Sequence, residues 1–385
     1  MQYLTRKRRL RHATCEPGVG VRARSRYSEG DRRIMRTTNG ESISGWDTAR
    51  QYRERMPWMR LLKILAVVTA VGLFLVQMQG VLVTVSGSAA GCGGDWPLCH
   101  GQVIPGQFTL HTLTEFGHRV LVPPVTLCVL GLSFGMLAFW RKRRETVVLV
   151  ILMIVFLLLQ AALGALAVVY PTSPVILALH YGVALIAFAS AAVAALFIFG
   201  QQGWDTLRDR PVSRGYTRLV WALAVYTYVV VYLGAYVQHT GNQLACRGWP
   251  LCNGSVFPGF AGVVGINFLH RFGAFLLTAG VIWLVLWSWR LRAARPDLYW
   301  GSMAAFTFVV IQAMMGAYVA WSHASVPSML LHGGFVAGLF AALCYLALQV
   351  MARPRSARQV AQTASTSATP LHAAGTAGAA SGTNG

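Results

Sequence analysis

The chain has 385 residues and a formal net charge of +21, and 55% of its residues are hydrophobic while only 12% are charged. A soluble globular protein carries about 25% charged residues, so this composition excludes an ordinary soluble domain. Fifteen of the lysines and arginines lie in residues 1–60, and most of the others lie in alternate connections between apolar segments, which favours a signal of membrane orientation. An arginine-rich tail that binds nucleic acid is the alternative.

Residues 1–56 precede the first apolar run, are polar and rich in arginine, and show little hydrophobic periodicity. Such a segment cannot bury enough apolar surface to fold alone, so we predict that it is disordered. Residues 352–385 form a low-complexity tail of alanine, threonine, serine and glycine, which also predicts disorder.

Between these ends lie eight apolar runs that are nearly free of charge. A helix of roughly 20 apolar residues crosses the hydrocarbon core of a bilayer, and a helix satisfies its own backbone hydrogen bonds there. The fold class predicted is therefore an all-α integral membrane protein with eight transmembrane helices. The runs are 61–85, 120–140, 146–169, 175–199, 219–238, 272–289, 302–321 and 327–351.

Lysines and arginines follow the second, fourth, sixth and eighth runs, whereas the connections on the other side contain Arg247 and no other lysine or arginine. By the positive-inside rule, this alternation places both termini in the cytoplasm and the two long loops outside. The chain is thus predicted to be a multi-pass protein of the cell (plasma) membrane, embedded in the lipid bilayer.

An internal repeat divides the chain. The segment 96–106 recurs as 249–259 with eight of eleven positions identical, and the correspondence continues into the following helices. It predicts two tandem four-helix bundles in the same orientation, the first half (57–200) and the second half (219–351), joined by a cytoplasmic linker (201–218). We expect pseudo-twofold symmetry about an axis along the membrane normal. The matched pairs are His118 and His270, Arg119 and Arg271, Gln160 and Gln312, Gly164 and Gly316, and His180 and His332.

Four histidines in or at the outer ends of apolar runs recur in this repeat, namely His118, His180, His270 and His332. Ionisable side chains in spans are rare and mark functional sites, and two imidazoles from facing helices can hold heme iron. We therefore predict one heme-iron site in each half. The alternatives are histidines that only hydrogen-bond a neighbouring helix, and a zinc site, which would need further ligands beyond Glu115. Arg119 and Arg271 could pair with heme propionates or extend to the outer surface.

Glu115 lies three residues before His118, a spacing that puts both side chains on one helix face. The corresponding residue of the second half is Asn267. This difference favours a reacting site in the first half and a supporting site in the second. The alternative is a first-turn glutamate that is favoured by the helix dipole. Four further histidines do not repeat and are interpreted as polar residues at the membrane interface: His100, His111, His239 and His323.

Each long outer loop contains two cysteines. The outer compartment is oxidising and allows disulfides to persist, so we predict the pairs Cys92–Cys99 and Cys246–Cys252. Metal binding by a cysteine pair together with a histidine is the alternative.

The loop Cys92-Gly-Gly-Asp-Trp-Pro-Leu-Cys99, followed by Glu115-Phe-Gly-His118-Arg119, resembles that of the bacterial heme A synthase family. The second-half loop and its Leu269-His270-Arg271 segment agree, and the resemblance extends over about 57–351. The long arginine-rich start departs from the family pattern. The resemblance implies an eight-helix enzyme that oxidises a methyl group of heme O to the formyl group of heme A. It also implies a heme b cofactor at His270 and His332, and substrate heme O at His118 and His180 with Glu115 catalytic.

The implied activity is that of an oxidoreductase acting on a CH-type group, with water as the oxygen source. Its implied partners are heme O synthase, the assembly machinery of terminal oxidases, and an unidentified electron acceptor. Two other classes remain open on the sequence: a di-heme b membrane electron-transfer protein, and a non-catalytic heme carrier or assembly factor.

Overall fold

The computed structural model describes residues 35–36, 42–43, 57–170, 173–208 and 210–351. A short antiparallel pair joins β1 (Met35–Arg36) to β2 (Ser42–Ile43) and lies in a segment for which the sequence predicts no structure. The rest of 1–56 and the tail 352–385 lie outside the described residues, so the predicted disorder there stays a prediction.

Within the described part of the chain, eight helices are long and apolar enough to cross a membrane. This confirms the predicted all-α fold with eight transmembrane helices. They are α1 (Pro57–Val85), α2 (Leu110–Trp140), α3 (Arg144–Val169), α4 (Pro174–Arg208), α5 (Arg214–His239), α6 (Gly262–Leu291), α7 (Pro296–Trp321) and α8 (Val326–Val350).

Two helices begin well before their apolar runs. The structure starts α2 at Leu110 and α6 at Gly262, whereas the runs begin at 120 and 272. The Thr109 side chain caps α2 by accepting a hydrogen bond from the Thr112 backbone N–H, which is the usual role of a threonine at a helix start. The histidine near each of these starts therefore lies about two turns inside its helix rather than at its first turn.

The connection between the halves contains more helix than the sequence suggests. α4 continues to Arg208, and α5 begins at Arg214 with Ser213 as its cap. Most of the predicted linker 201–218 thus belongs to these two helices, which overrun their apolar runs because polar residues can continue a helix beyond the hydrocarbon core.

Helices α4 and α8 occupy the centre of the bundle. α4 packs closely against α3, α5 and α8, and α8 packs closely against α4, α5 and α7. One cluster of buried apolar side chains lies mainly in the first half and another in the second. A third joins the halves and contains Leu185, Ala189, Val231, Ala337 and Phe340.

Two buried arginines tie helix ends together at the face opposite the histidines. Arg208 forms an ion pair with Glu145 and donates to the Met351 carbonyl oxygen. Arg295 pairs with Asp297 at 2.7 Å and donates to the Gln349 carbonyl oxygen at 3.1 Å. The sequence marks both arginines only as signals of membrane orientation, whereas the structure gives each of them a packing role.

Candidate functional site

His118 of α2 and His180 of α4 line one cavity near the end of the bundle that carries the two cysteine-containing loops. The cavity volume is about 50 Å³, which is below the usual range for a ligand pocket, so the surrounding helices would have to separate to admit a large ligand. We call it the first-half cavity. Its other polar lining residues are Gln77, Thr84, Gln160, Tyr181, Gln238 and His239.

Several buried polar atoms of this cavity lack hydrogen-bond partners within the described chain. They include Oε1 of Gln160 and Nδ1 of His239. Buried polar groups in folded proteins are nearly always partnered. Unpartnered atoms that converge on a cavity lined by the His118 and His180 imidazoles fit a bound group that carries a metal.

His270 of α6 and His332 of α8 form the second pair, and their ring centres are 6.5 Å apart. Two imidazoles that each bind one metal through a nitrogen at about 2 Å have ring centres roughly 6 Å apart. His270 Nδ1 lies 3.1 Å from the Val230 carbonyl oxygen. Because a carbonyl can only accept, Nδ1 carries the proton and Nε2 keeps the lone pair that a metal needs. These residues therefore fit a heme iron.

Each of the four repeated histidines faces a glycine of a neighbouring helix. A Cβ added to Gly234 would lie 2.6 Å from His270 Cε1, and one added to Gly164 would lie 3.3 Å from His180 Cε1. The corresponding distances are 3.5 Å for Gly80 against His118 and 3.5 Å for Gly316 against His332. The glycines make room for the rings, and Gly234 leaves the least space.

The buried Glu115 carboxylate is held by two partners. Its Oε2 accepts the Cys92 backbone N–H at 2.8 Å, and its Oε1 accepts from Arg119 at 2.5 Å. Arg119 also donates to the carbonyl oxygens of Asp95 and Leu98. Glu115 thus joins the helix that contains His118 to the first outer loop.

Asn267 and Arg271 make comparable contacts in the second half. Asn267 Nδ2 donates to the carbonyl oxygens of Asn242 and Gln243 at 2.9 and 3.1 Å. Arg271 donates to carbonyl oxygens of the second outer loop, including that of Cys246 at 2.7 Å. In each half, therefore, a helix side chain holds the cysteine-containing loop. The Glu115 carboxylate does so in the first half and the Asn267 amide in the second.

The structure contains both predicted disulfides, Cys92–Cys99 and Cys246–Cys252. Their Cα–Cα distances are 4.4 and 4.6 Å. Among the residues that the structure describes, no group of three or more histidine, cysteine, aspartate or glutamate side chains could hold a metal ion. The alternatives of a zinc or cysteine–metal site therefore gain no support.

The repeat does not identify every residue of the first-half cavity. His239 does not recur, and the sequence assigns it only to the membrane interface, yet it lines the cavity beside His180. Gly80 and Gly234 do recur, at the same offset as Cys92 and Cys246, and that offset is the signal that could have found them. His100 and His111 instead make local contacts, with the Gly91 carbonyl and the Ser88 hydroxyl.

A short connection joins the two histidine pairs. Tyr181 follows His180 in the chain, and its hydroxyl donates to the Gly333 carbonyl oxygen at 3.2 Å. Gly333 follows His332. The Tyr181 side chain and one hydrogen bond therefore connect the backbone next to His180 with the backbone next to His332, and both histidines are proposed ligands.

The fold and the two histidine pairs define a polytopic membrane protein of the heme-handling class. The family model of cytochrome oxidase assembly proteins (COX15-CtaA) matches residues 63–344. A heme A synthase of Bacillus cereus is 36% identical over 308 residues, which cover 80% of this chain and 98% of that protein. One from Alkalihalophilus pseudofirmus is 34% identical over 293 residues, or 76% and 98%. The chain belongs to the heme A synthase family.

Proposed function

We propose that this protein converts heme O into heme A by oxidising a methyl group of the heme ring to a formyl group. Membership of the family supports the reaction. The observation that carries the assignment of sites is the difference between the two histidine pairs. His118 and His180 line a cavity with further unpartnered polar atoms, whereas the rings of His270 and His332 lie 6.5 Å apart and His270 is held by the Val230 carbonyl oxygen.

The first-half cavity is the proposed substrate site, because a substrate needs space that it can enter and leave. The second pair is the proposed heme b site, because the Val230 carbonyl oxygen already orients His270 for binding a metal. When bound at His270 and His332, heme b would supply a one-electron carrier.

The reaction balances as a ring methyl plus one water giving a formyl group, four protons and four electrons. Water is the proposed oxygen source, and the final electron acceptor is unidentified. His118 and His180 would hold the substrate through its iron, so the reacting methyl group stays free. Glu115 would stabilise positive charge that develops at the methyl carbon, or position the water. The connection through Tyr181 and Gly333 supports passage of electrons towards the second pair.

The proposed setting is the cell membrane, with both termini in the cytoplasm and both disulfide loops outside. Arg119 and Arg271 remain proposed propionate partners, although both also hold loop carbonyls. Heme O synthase and the terminal oxidase assembly machinery are the proposed partners. The pseudo-twofold relation between the halves is also a proposal, supported by matching loops and histidines.

Pigment analysis tests the proposed function directly. Heme O or heme A extracted together with heme b from purified protein is the expected result. Heme b alone would indicate a di-heme electron-transfer protein, and loosely bound heme at less than one per chain would indicate a carrier.

Glu115→Gln tests the proposed catalytic charge. The carboxamide oxygen can still accept the Cys92 N–H, so the loop contact is retained while the charge is removed. We expect heme A formation to fall about 10²–10³-fold, with heme O accumulating and heme b retained, as measured by chromatography of extracted hemes. Asn267→Ala removes the corresponding loop contact of the second half and should retain most activity. A near-normal rate of heme A formation in Glu115→Gln would contradict the proposed catalytic charge. Glu115 would then serve only to hold the loop.

A further inference from the structure

The first-half cavity is completed by a helix of the second half. α5 ends at Gln238 and His239, and both side chains line the cavity that contains His118 and His180. The residue that the repeat pairs with His239 is Val85, at the end of α1. The first-half cavity therefore contains an additional imidazole. The repeat places no equivalent imidazole beside His270 and His332.

The His239 imidazole has an unsatisfied polar atom. Its Nδ1 is buried and has no hydrogen-bond partner among the residues that the structure describes. An unpartnered buried donor or acceptor is costly in a low-dielectric environment. A ligand that offers an oxygen to Nδ1 would remove this cost.

A heme substrate carries two propionate carboxylates, which must be paired where they enter the membrane protein. The Arg119 guanidinium is already shared among the Glu115 carboxylate and the carbonyl oxygens of Asp95 and Leu98. His239 lies at the outer end of its helix, where the charged edge of a heme is nearest to water. His239 is thus placed to donate a hydrogen bond to a propionate, in addition to any that Arg119 donates.

We propose that His239 binds a propionate carboxylate of the substrate heme in the first-half cavity, with the proton on Nδ1. This inference rests on the proposed function and adds a substrate-binding residue to it. Both halves would then contribute residues to the substrate site, because the first four helices alone lack this imidazole.

Hemin and its dimethyl ester provide the test, because only hemin has free carboxylates. The full-length protein is purified from cells that cannot make heme O, and each compound is titrated spectroscopically. We expect His239→Leu to weaken hemin binding about tenfold, the size of one lost hydrogen bond to a charged group. Binding of the dimethyl ester should be unchanged, and His239→Gln, which keeps an N–H donor, should retain part of the hemin affinity.

His323→Leu is the matched control, since His323 is an exposed histidine in the turn after α7. It should leave both affinities unchanged. A low-spin heme b spectrum from the second pair verifies that each variant is folded. Unchanged hemin binding in His239→Leu would overturn the proposal, and so would equal weakening for hemin and the ester, because that result indicates packing. If the wild-type protein took up neither compound in the first-half cavity, the proposed function itself would fail.

Discussion

Glycine decides how closely the imidazole rings approach the neighbouring helices. The four glycines that face the repeated histidines are all helical, and none is needed there for a turn. Their common property is the absence of a side chain beside a ring. At Gly234 the space is so small that a methyl group would overlap both Cε1 and Nδ1 of His270.

Gly234→Ala should therefore displace His270 and break its bond to the Val230 carbonyl, whereas Gly316→Ala should be tolerated. A Cβ at Gly316 would lie 3.5 Å from His332, which is ordinary van der Waals contact. Loss of an orienting contact costs about 10–100-fold in metal affinity, so we expect Gly234→Ala to lose most heme b. Heme b per purified chain and its low-spin spectrum measure this. Both variants add the same methyl group to a helix, and equal heme retention in the two would contradict the argument.

At the scale of single helices, much of the fold follows from the sequence. The apolar runs predict all eight spans, because length and hydropathy alone determine which segments can cross a bilayer. The starts of α2 and α6 are less predictable, since polar residues extend these helices by about ten residues beyond the apolar runs. That extension is what puts Glu115 and Asn267 within helices, where they reach the outer loops.

The sites are predictable to the extent that they repeat. The four proposed ligand histidines and both disulfides recur in the two halves, and their spacing identifies them. His239 does not recur, and its place in the cavity follows from how α5 packs against α4, a long-range contact that no local pattern encodes. The glycines opposite the rings carry a repeat signal, but only the structure shows what they face.

At the scale of the whole molecule, the distribution of basic residues predicts the orientation in the membrane. A membrane-impermeant thiol reagent, applied to intact cells after mild reduction, should label the cysteines of both outer loops, because these loops are predicted to lie outside. Mass spectrometry of the labelled peptides measures this. Cys15, in the predicted cytoplasmic segment, is the internal control and should be labelled only after lysis. Labelling of Cys15 in intact cells, with the loop cysteines protected, would reverse the orientation.

The two histidine pairs also differ in how closely a neighbouring helix approaches the ring, and this has a consequence for residence times. A Cβ at Gly234 of α5 would lie 2.6 Å from His270, whereas one at Gly80 of α1 would lie 3.5 Å from His118. An imidazole with less room to move releases a bound group more slowly, and the rate of escape sets how long the group stays. We therefore expect a heme bound at His118 and His180 to exchange faster than one bound at His270 and His332. Mixing the protein with hemin of a distinct iron isotope, using His118→Ala and His332→Ala variants to separate the sites, would measure both rates, and equal exchange rates would argue against this expectation. Turnover at one position and retention at the other would then follow from the spacing of two equivalent helices rather than from any difference in their ligands.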